Sequence, residues 1–261
     1  MSKLERARDG ATERWTLNHP ATRNALDEEI VEALHAACDA AAADPSLRFI
    51  VLGGAGGAFC AGGHLGGFAS QVGQPLPAGR TDPLIALNLR FGDLLHRLVA
   101  LPQLLIAAVD GPAMAGGFGL VCCADFVIAT PRASFATPEV TLGIAPAQIA
   151  PFVWSRLGDR TARQLLLEGR RFDALEALQV GLVDEIAEDL STGTGAQLER
   201  LKAAAPDAVA ATKRLLHTLG SHAVKDLRPQ AAQAFAASLR SPEASQGLAA
   251  FSKRQAPPWA R

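Results

Sequence analysis

The chain reads as an α/β protein that ends in an all-helical part, and three observations predict this. Two apolar runs, at residues 49–52 and 104–109, each feed a glycine-rich loop, the pattern of buried parallel strands. Segments of helical period alternate with such runs as far as Ile186. From Thr194 onward the sequence is alanine-rich with helical periodicity alone, punctuated by Pro206, Gly220, Pro229 and Pro242. We therefore divide the chain into a core at residues 1–192 and a helical region at 193–261.

Taken in order, residues 13–18 form a strand candidate ended by His19-Pro20. Residues 27–43 predict a helix: Asp27 can cap, Glu28 and Glu29 occupy the first turn, and Ile30, Ala33, Leu34, Ala37 and Ala41 make one apolar stripe. Asp44-Pro45 stops it. After the strand at 49–52, residues 66–82 are rich in Gly, Pro, Gln and Ser and read as a loop. Residues 83–100 return to helical period, 104–109 form a strand, and a helix starts near Gly116. Short strand-like pieces follow at 126–129 and 134–136, then a turn at 137–143 that carries one acid. Helices are expected at 149–157, 159–167 and 173–180, with a strand at 182–186. The helical tail carries apolar stripes (Leu215, Leu216, Leu219; Phe235, Leu239; Leu248, Phe251) that suit a second subunit.

Composition narrows the function. The chain has 261 residues, 49% of them hydrophobic, and a formal net charge of −1 with scattered Lys and Arg, so no nucleic-acid surface is expected. There is no N-terminal apolar signal region and no run long enough to span a bilayer, which reads as soluble and cytoplasmic. Cys38, Cys60, Cys122 and Cys123 form no C-x-x-C unit and match no zinc spacing; free buried thiols are expected, and no metal. Cys60 lies in a glycine loop with no base beside it in sequence. Tyrosine is absent, which removes mechanisms that need a phenol.

The chemistry concentrates in two loops. In L-L-I-A-A-V-D-G-P-A-M-A-G-G-F-G, residues 104–119, a strand runs into small residues at the start of a helix, where backbone N–H groups stand free. The same small residues also suit a tight helix–sheet contact. In R-F-I-V-L-G-G-A-G-G-A-F-C-A-G-G-H-L, residues 48–65, a second strand meets a second glycine loop. Two such junctions can aim one N–H each at a single oxygen, which makes an oxyanion hole. A Rossmann reading of the second loop fails: Phe59 holds the third glycine place, and no acid closes a strand about twenty residues on. No G-K-[ST] and no G-x-S-x-G is present. Glu139 follows a proline among apolar neighbours, surroundings that raise a carboxyl pKa and suit general-base work, although a surface turn would carry the same residue. His64 could act as a base or could simply line a pocket.

These pieces together resemble the crotonase (enoyl-CoA hydratase/isomerase) superfamily. The matching segments are L-N-H-P through N-A-L (17–26), A-F-C-A-G-G (58–63), D-G-P-A-M-A-G-G (110–117), Ala124-Asp125, P-E-V-T-L-G (138–143), G-L-V-D (181–184) and F-S-K-R (251–254), in the family's order over nearly the whole chain. The resemblance implies a crotonase-like spiral of ββα turns with a C-terminal helical trimerisation region. It also implies an acyl-CoA substrate, no cofactor beyond the CoA of that substrate, and a homotrimer or dimer of trimers. On this basis the oxyanion donors fall on Gly63 and Gly116, and the catalytic acid on Glu139. Further substrate contacts fall on Ala25, Ala61, His64, Leu65 and Gly119, and Phe251 and Lys253 match the positions that touch the CoA nucleotide.

The chain departs from that pattern at Gly119, which replaces the first of two hydratase glutamates, at His64, which replaces an acid, and at Ala115, which replaces a glycine. One carboxylate favours a Δ3-Δ2 isomerase. The run 143–153 together with Gly119 instead looks like hydratases of branched glutaconyl-CoA esters, and a glycine at 119 is expected to leave room for a substrate carboxylate. Hydration is the leading expectation. An isomerase and a non-catalytic acyl-CoA-binding trimer are the alternatives.

Overall fold

A computed structural model describes residues 2–64, 71–76, 79–223 and 228–255, apart from the side chains of 218–223, 230 and 231. Its centre is a six-stranded sheet in the order β1-β2-β3-β4-β6-β9. The strands are β1 (Leu4–Asp9), β2 (Thr12–Leu17), β3 (Phe49–Gly54), β4 (Leu104–Val109), β6 (Phe126–Ala129) and β9 (Glu185–Ile186). Among the described residues of this sheet only the β1–β2 hairpin is antiparallel; β2, β3, β4, β6 and β9 run parallel, with Val51 beside Ile106 and Ala107 beside Val127. A second sheet joins β5 (Pro112–Met114), β7 (Ser134–Ala136) and β8 (Arg171–Asp173) in the order β5-β7-β8.

Strand alternation splits the core into two faces. Ile50, Leu52, Leu105, Ala107 and Val127 point to one side, beneath α1 (Glu28–Ala42) and α2 (Pro83–Ala100). Phe49, Val51, Leu104, Ile106 and Ile128 point to the other, where Leu198 of α6 (Leu190–Leu201) packs. All six residues of β4 are buried, as a central parallel strand covered on both faces requires. The division drawn at residue 192 runs through α6, which covers the back of the sheet.

Most expected elements appear. Asp27 caps α1 by accepting from Ile30 N at 3.0 Å, and Asp82 caps α2 by accepting from Leu84 N at 3.0 Å. α3 is Gly116–Cys122, and α5 (Ala174–Gln179) falls within its expected span. The two helices expected at 149–157 and 159–167 are both present within the run α4 (Ala150–Glu168), separated at Gly158, whose φ of +73° and ψ of 168° are not helical. The strand expected at 182–186 shortens to β9. The sequence reading missed β1, β5 and β8.

Beyond α6, the described residues form helices α7 (Pro206–Ala223), α8 (Arg228–Leu239) and α9 (Pro242–Ser252). The apolar stripes of the tail divide. Leu239 is buried in the chain's own core, with Phe235 and Leu248 packed beside it, while Leu215, Leu216 and Phe251 are exposed. No helix among the described residues is long and apolar enough to cross a membrane.

Candidate active site

Three parallel segments carry the site. The isolated bridge between Cys60 and Ala113 sets the second glycine loop parallel to β5, and β5 is parallel to β7. Cys60, Ala113 and Phe135 thus lie in one row, and all three chains leave that row in the same direction. Gly63 and Gly116 follow three residues later on their segments, and Glu139 four residues later on its own. This register sets both glycines and the acid a similar distance along three adjoining segments.

The small sheet is fixed from below by aromatic contacts. Phe118 of α3, Phe135 of β7 and Phe172 of β8 pack with ring centroids 5.7 to 6.4 Å apart. Ala115 N donates to Ala136 O at 2.9 Å, which ties the start of α3 to the segment that leads to Glu139.

Both glycine amides are open. Leu26 N donates to Gly62 O at 2.7 Å and His64 N donates to Leu26 O at 3.0 Å, so Gly63 turns its own amide away from that bridge. Gly116 opens α3, and a first-turn amide has no helical partner. Among the described residues neither N–H has a hydrogen-bond acceptor. The two turns touch: a β-carbon on Gly62 would lie 3.4 Å from Gly116 N. Gly63 is exposed and Gly116 half-buried, which leaves both within reach of a ligand. Ala115 holds φ +50° and ψ −119°, a conformation that a side chain resists, so the alanine in the glycine place is accommodated under strain.

Glu139 sits in the 3-10 turn Pro138–Leu142, and its Oε2 is buried without a hydrogen-bond partner. Burial pushes its carboxyl up to about 7, opposed only by its own backbone N–H. The turn is held at both ends. Thr137 Oγ1 donates to Leu165 O at 2.8 Å, and Ala145 N donates to Ser238 Oγ at 3.1 Å.

The remaining expected residues fall into place unevenly. Ala61 is half-buried in the second loop, and Ala25 is buried beside Leu26, whose Cδ1 abuts Gly116. His64 is exposed. Leu65 and parts of the 66–82 loop lie outside the described residues. Phe251 and Lys253 are exposed at the end of α9, whose start packs on the Glu139 turn at Gly143. Cys60 is fully buried with its thiol pushed up to about 12, which makes it a packing residue and not a nucleophile. The expected room beside Gly119 does not exist, because a β-carbon there would lie 2.4 Å from Ile149 Cγ2. Ile149 fills the place where the family's first glutamate would start.

The sequence reading missed the role of Asn24. This buried residue holds φ +58°, donates from Nδ2 to Ala55 O at 2.9 Å and to Ala58 O at 2.8 Å, and accepts from His19 N at 2.8 Å. It braces the glycine loop from behind. No local signal marked this role, because the carbonyls it bonds lie more than thirty residues away in the chain. A separate cavity of about 450 Å³, lined in part by Leu47, Arg48, Phe49 and Gln103, lies at the opposite ends of β3 and β4, away from Glu139.

Two open amides on touching turns, with a partnerless carboxyl on the adjoining segment, are the groups needed to stabilise a developing oxyanion and to move a proton. The enoyl-CoA hydratase/isomerase family model matches residues 10–261. The chain belongs to the enoyl-CoA hydratase/isomerase family. It is similar to the 2,3-dehydroadipyl-CoA hydratase of Escherichia coli K12, with 32% identity over 260 residues covering 98% of each chain. Among solved structures it is similar to an enoyl-CoA hydratase/isomerase from Marinobacter aquaeolei, with 42% identity, a TM-score of 0.80 and 100% of both chains covered. It is also similar to Pseudomonas aeruginosa AtuE, with 42% identity, a TM-score of 0.78, and 99% of this chain and 100% of that one covered. The fold is that of this family. The protein is an enzyme of the enoyl-CoA hydratase/isomerase kind, and its substrates are CoA thioesters.

Proposed function

We propose that the protein hydrates an α,β-unsaturated acyl-CoA whose acyl chain is branched and carboxylated. The observation that carries this reading is the buried, unpartnered Glu139 Oε2 on the segment adjoining the turns where the Gly63 and Gly116 amides stand open. The two amides polarise the thioester carbonyl, which makes Cβ electrophilic. Glu139 takes a proton from water as its oxygen bonds to Cβ, electrons shift onto the thioester oxygen as an enolate, and the same carboxyl returns that proton to Cα. The net change is addition of water across the double bond.

The acyl preference has two supports. With Gly119 and Ile149 in place of a second acid, the site repels a substrate carboxylate less. A full-length relative is named for hydrating 2,3-dehydroadipyl-CoA, a thioester of a dicarboxylic acid. Phe251 and Lys253, exposed on α9, would meet the CoA nucleotide, the Lys through its charge. Exposed Leu215, Leu216 and Phe251 support assembly as a homotrimer or dimer of trimers.

A single carboxylate also suits a Δ3-Δ2 isomerase, in which Glu139 would carry a proton from Cα to Cγ. Incubation with a panel of enoyl-CoA esters separates the readings. Hydration adds the mass of water, isomerisation shifts absorbance at constant mass, and a non-catalytic binder does neither. Hydration of crotonyl-CoA as fast as of a branched glutaconyl ester would overturn the acyl preference.

A further inference from the structure

Three consecutive residues where α8 ends touch both the segment after the Glu139 turn and the segment after His64. Ser238 Oγ accepts from Ala145 N at 3.1 Å, just past the Glu139 turn. Leu239 O accepts from Gly73 N at 3.3 Å. Arg240 closes a two-pronged ion pair on Asp82, in which Nη2 lies 2.6 Å from Oδ1 and Nε meets Oδ2, and its Nη1 donates to Gln74 O at 2.9 Å. Asp82 is 5% exposed and Arg240 14%, so water screens this pair little. Residues 73, 74 and 82 belong to the loop after His64, and Ala145 belongs to the acid's own segment. Asp82 also caps α2, so the same carboxylate fixes the start of the helix that carries Phe91 against Gly116.

We infer that Ser238, Leu239 and Arg240 form a latch that fixes Gly73, Gln74 and Asp82 relative to the turn bearing Glu139, and so sets which acyl chains the site accepts. The three residues share one end of one helix and cannot shift independently. Releasing Arg240 frays that end, so Ser238 loosens its hold on Ala145. Ser238 and Arg240 are positioning residues with no part in the chemistry. The specificity consequence rests on the hydratase reading above; the mechanical coupling does not.

Two measurements on the full chain test it. In Arg240→Ala, amide exchange at Ala145 rises together with exchange at Gly73, although Arg240 does not touch Ala145. Unchanged exchange at Ala145 overturns the coupling, whatever reaction the protein catalyses. For specificity, the ratio of kcat/KM for a carboxylated six-carbon enoyl-CoA to that for crotonyl-CoA falls about tenfold in both Arg240→Ala and Ser238→Ala, and the double variant falls no further because one device is lost once. Arg240→Lys restores part of the ratio. Additive losses, or an unchanged ratio with the same drop in melting temperature, overturn the specificity role. Should Arg240→Ala fail to fold, Asp82→Asn replaces it with the same direction of change, because an Asn still caps Leu84 N but loses the charge and the second acceptor of the two-pronged pair. Absence of hydration in the native protein defeats the hydratase reading and leaves the exchange measurement to decide the latch.

Discussion

A β-carbon placed on Gly62 would lie 2.6 Å from the β-carbon of Ala115, so the two loops that supply the open amides meet without slack. Gly62 also holds φ +89°. Gly62→Ala must push the loops apart and misalign Gly63 against Gly116. The expected loss in kcat/KM is about 100-fold or more, the scale of removing one oxyanion donor. Gly10→Ala is the control: Gly10 holds φ +55° with open space around it in the β1–β2 turn, so that variant loses about 1 kcal/mol of stability and keeps its activity. Steady-state kinetics and melting curves on both variants decide the matter, and an equal kinetic loss in the two would place the effect outside the amide pair.

On the proposed mechanism Glu139 sets the pH dependence. A base must be ionised, so kcat/KM should climb through pH 7 and level off above it. Glu139→Gln should remove that limb and lower turnover by about a thousandfold while CoA-ester binding, measured by calorimetry, survives. Retained turnover would take Glu139 out of the mechanism.

The same shift predicts stability. A folded-state value near 7 lies above the unfolded value of 4.5, so the native state holds the extra proton between those limits. Below pH 4.5 both states are protonated and nothing is lost; stability then falls as pH rises to 7 and stays lowered beyond. The full penalty is at most about 3 kcal/mol. Glu139→Gln should therefore be more stable than the native protein at pH 8 and similar at pH 4, as denaturant titrations at the two pH values would show.

Gly119 is closed by Ile149, so restoring an acid there should fail. Gly119→Glu is expected to lose about 2 kcal/mol or more from overpacking. Adding Ile149→Ala should recover part of that loss, a non-additivity expected of two residues in contact. Thermal melts of the two single variants and the double variant check this.

Asn24 braces the glycine loop by donating to Ala55 O and Ala58 O, with a longer contact to Phe59 O at 3.4 Å. Asn24→Ala should cost about 2 kcal/mol, because the Ala55 and Ala58 carbonyls lose a donor, and kcat/KM should fall with it. Asn24→Gly keeps the positive φ without strain but not the bonds, so equal losses in both variants assign the effect to hydrogen bonding. A harmless Asn24→Gly would assign it to backbone conformation.

Legibility followed locality. The α2 boundaries at Pro83 and Ala100 could be read from a capping Asp82, a proline in the first turn and an apolar stripe. β1 could not, because L-E-R-A-R-D buries only Leu4 and an edge strand beside one partner carries no alternating pattern. β5 was hidden by Pro112, which reads as a breaker but is tolerated as the first residue of a strand. Glu139 and the two glycine loops were visible as separate pieces, each with an ordinary structural explanation.

By itself the sequence determined the alternation of strands and helices, the caps, the two glycine junctions and the single acid, since each of these depends on neighbours a few residues away. Tertiary structure alone decided that Cys60, Ala113 and Phe135 share a row, that Ile149 fills the place beside Gly119, and that Arg240 reaches Asp82. Those relations join positions far apart in the chain, and only strand pairing and close packing bring them within contact distance.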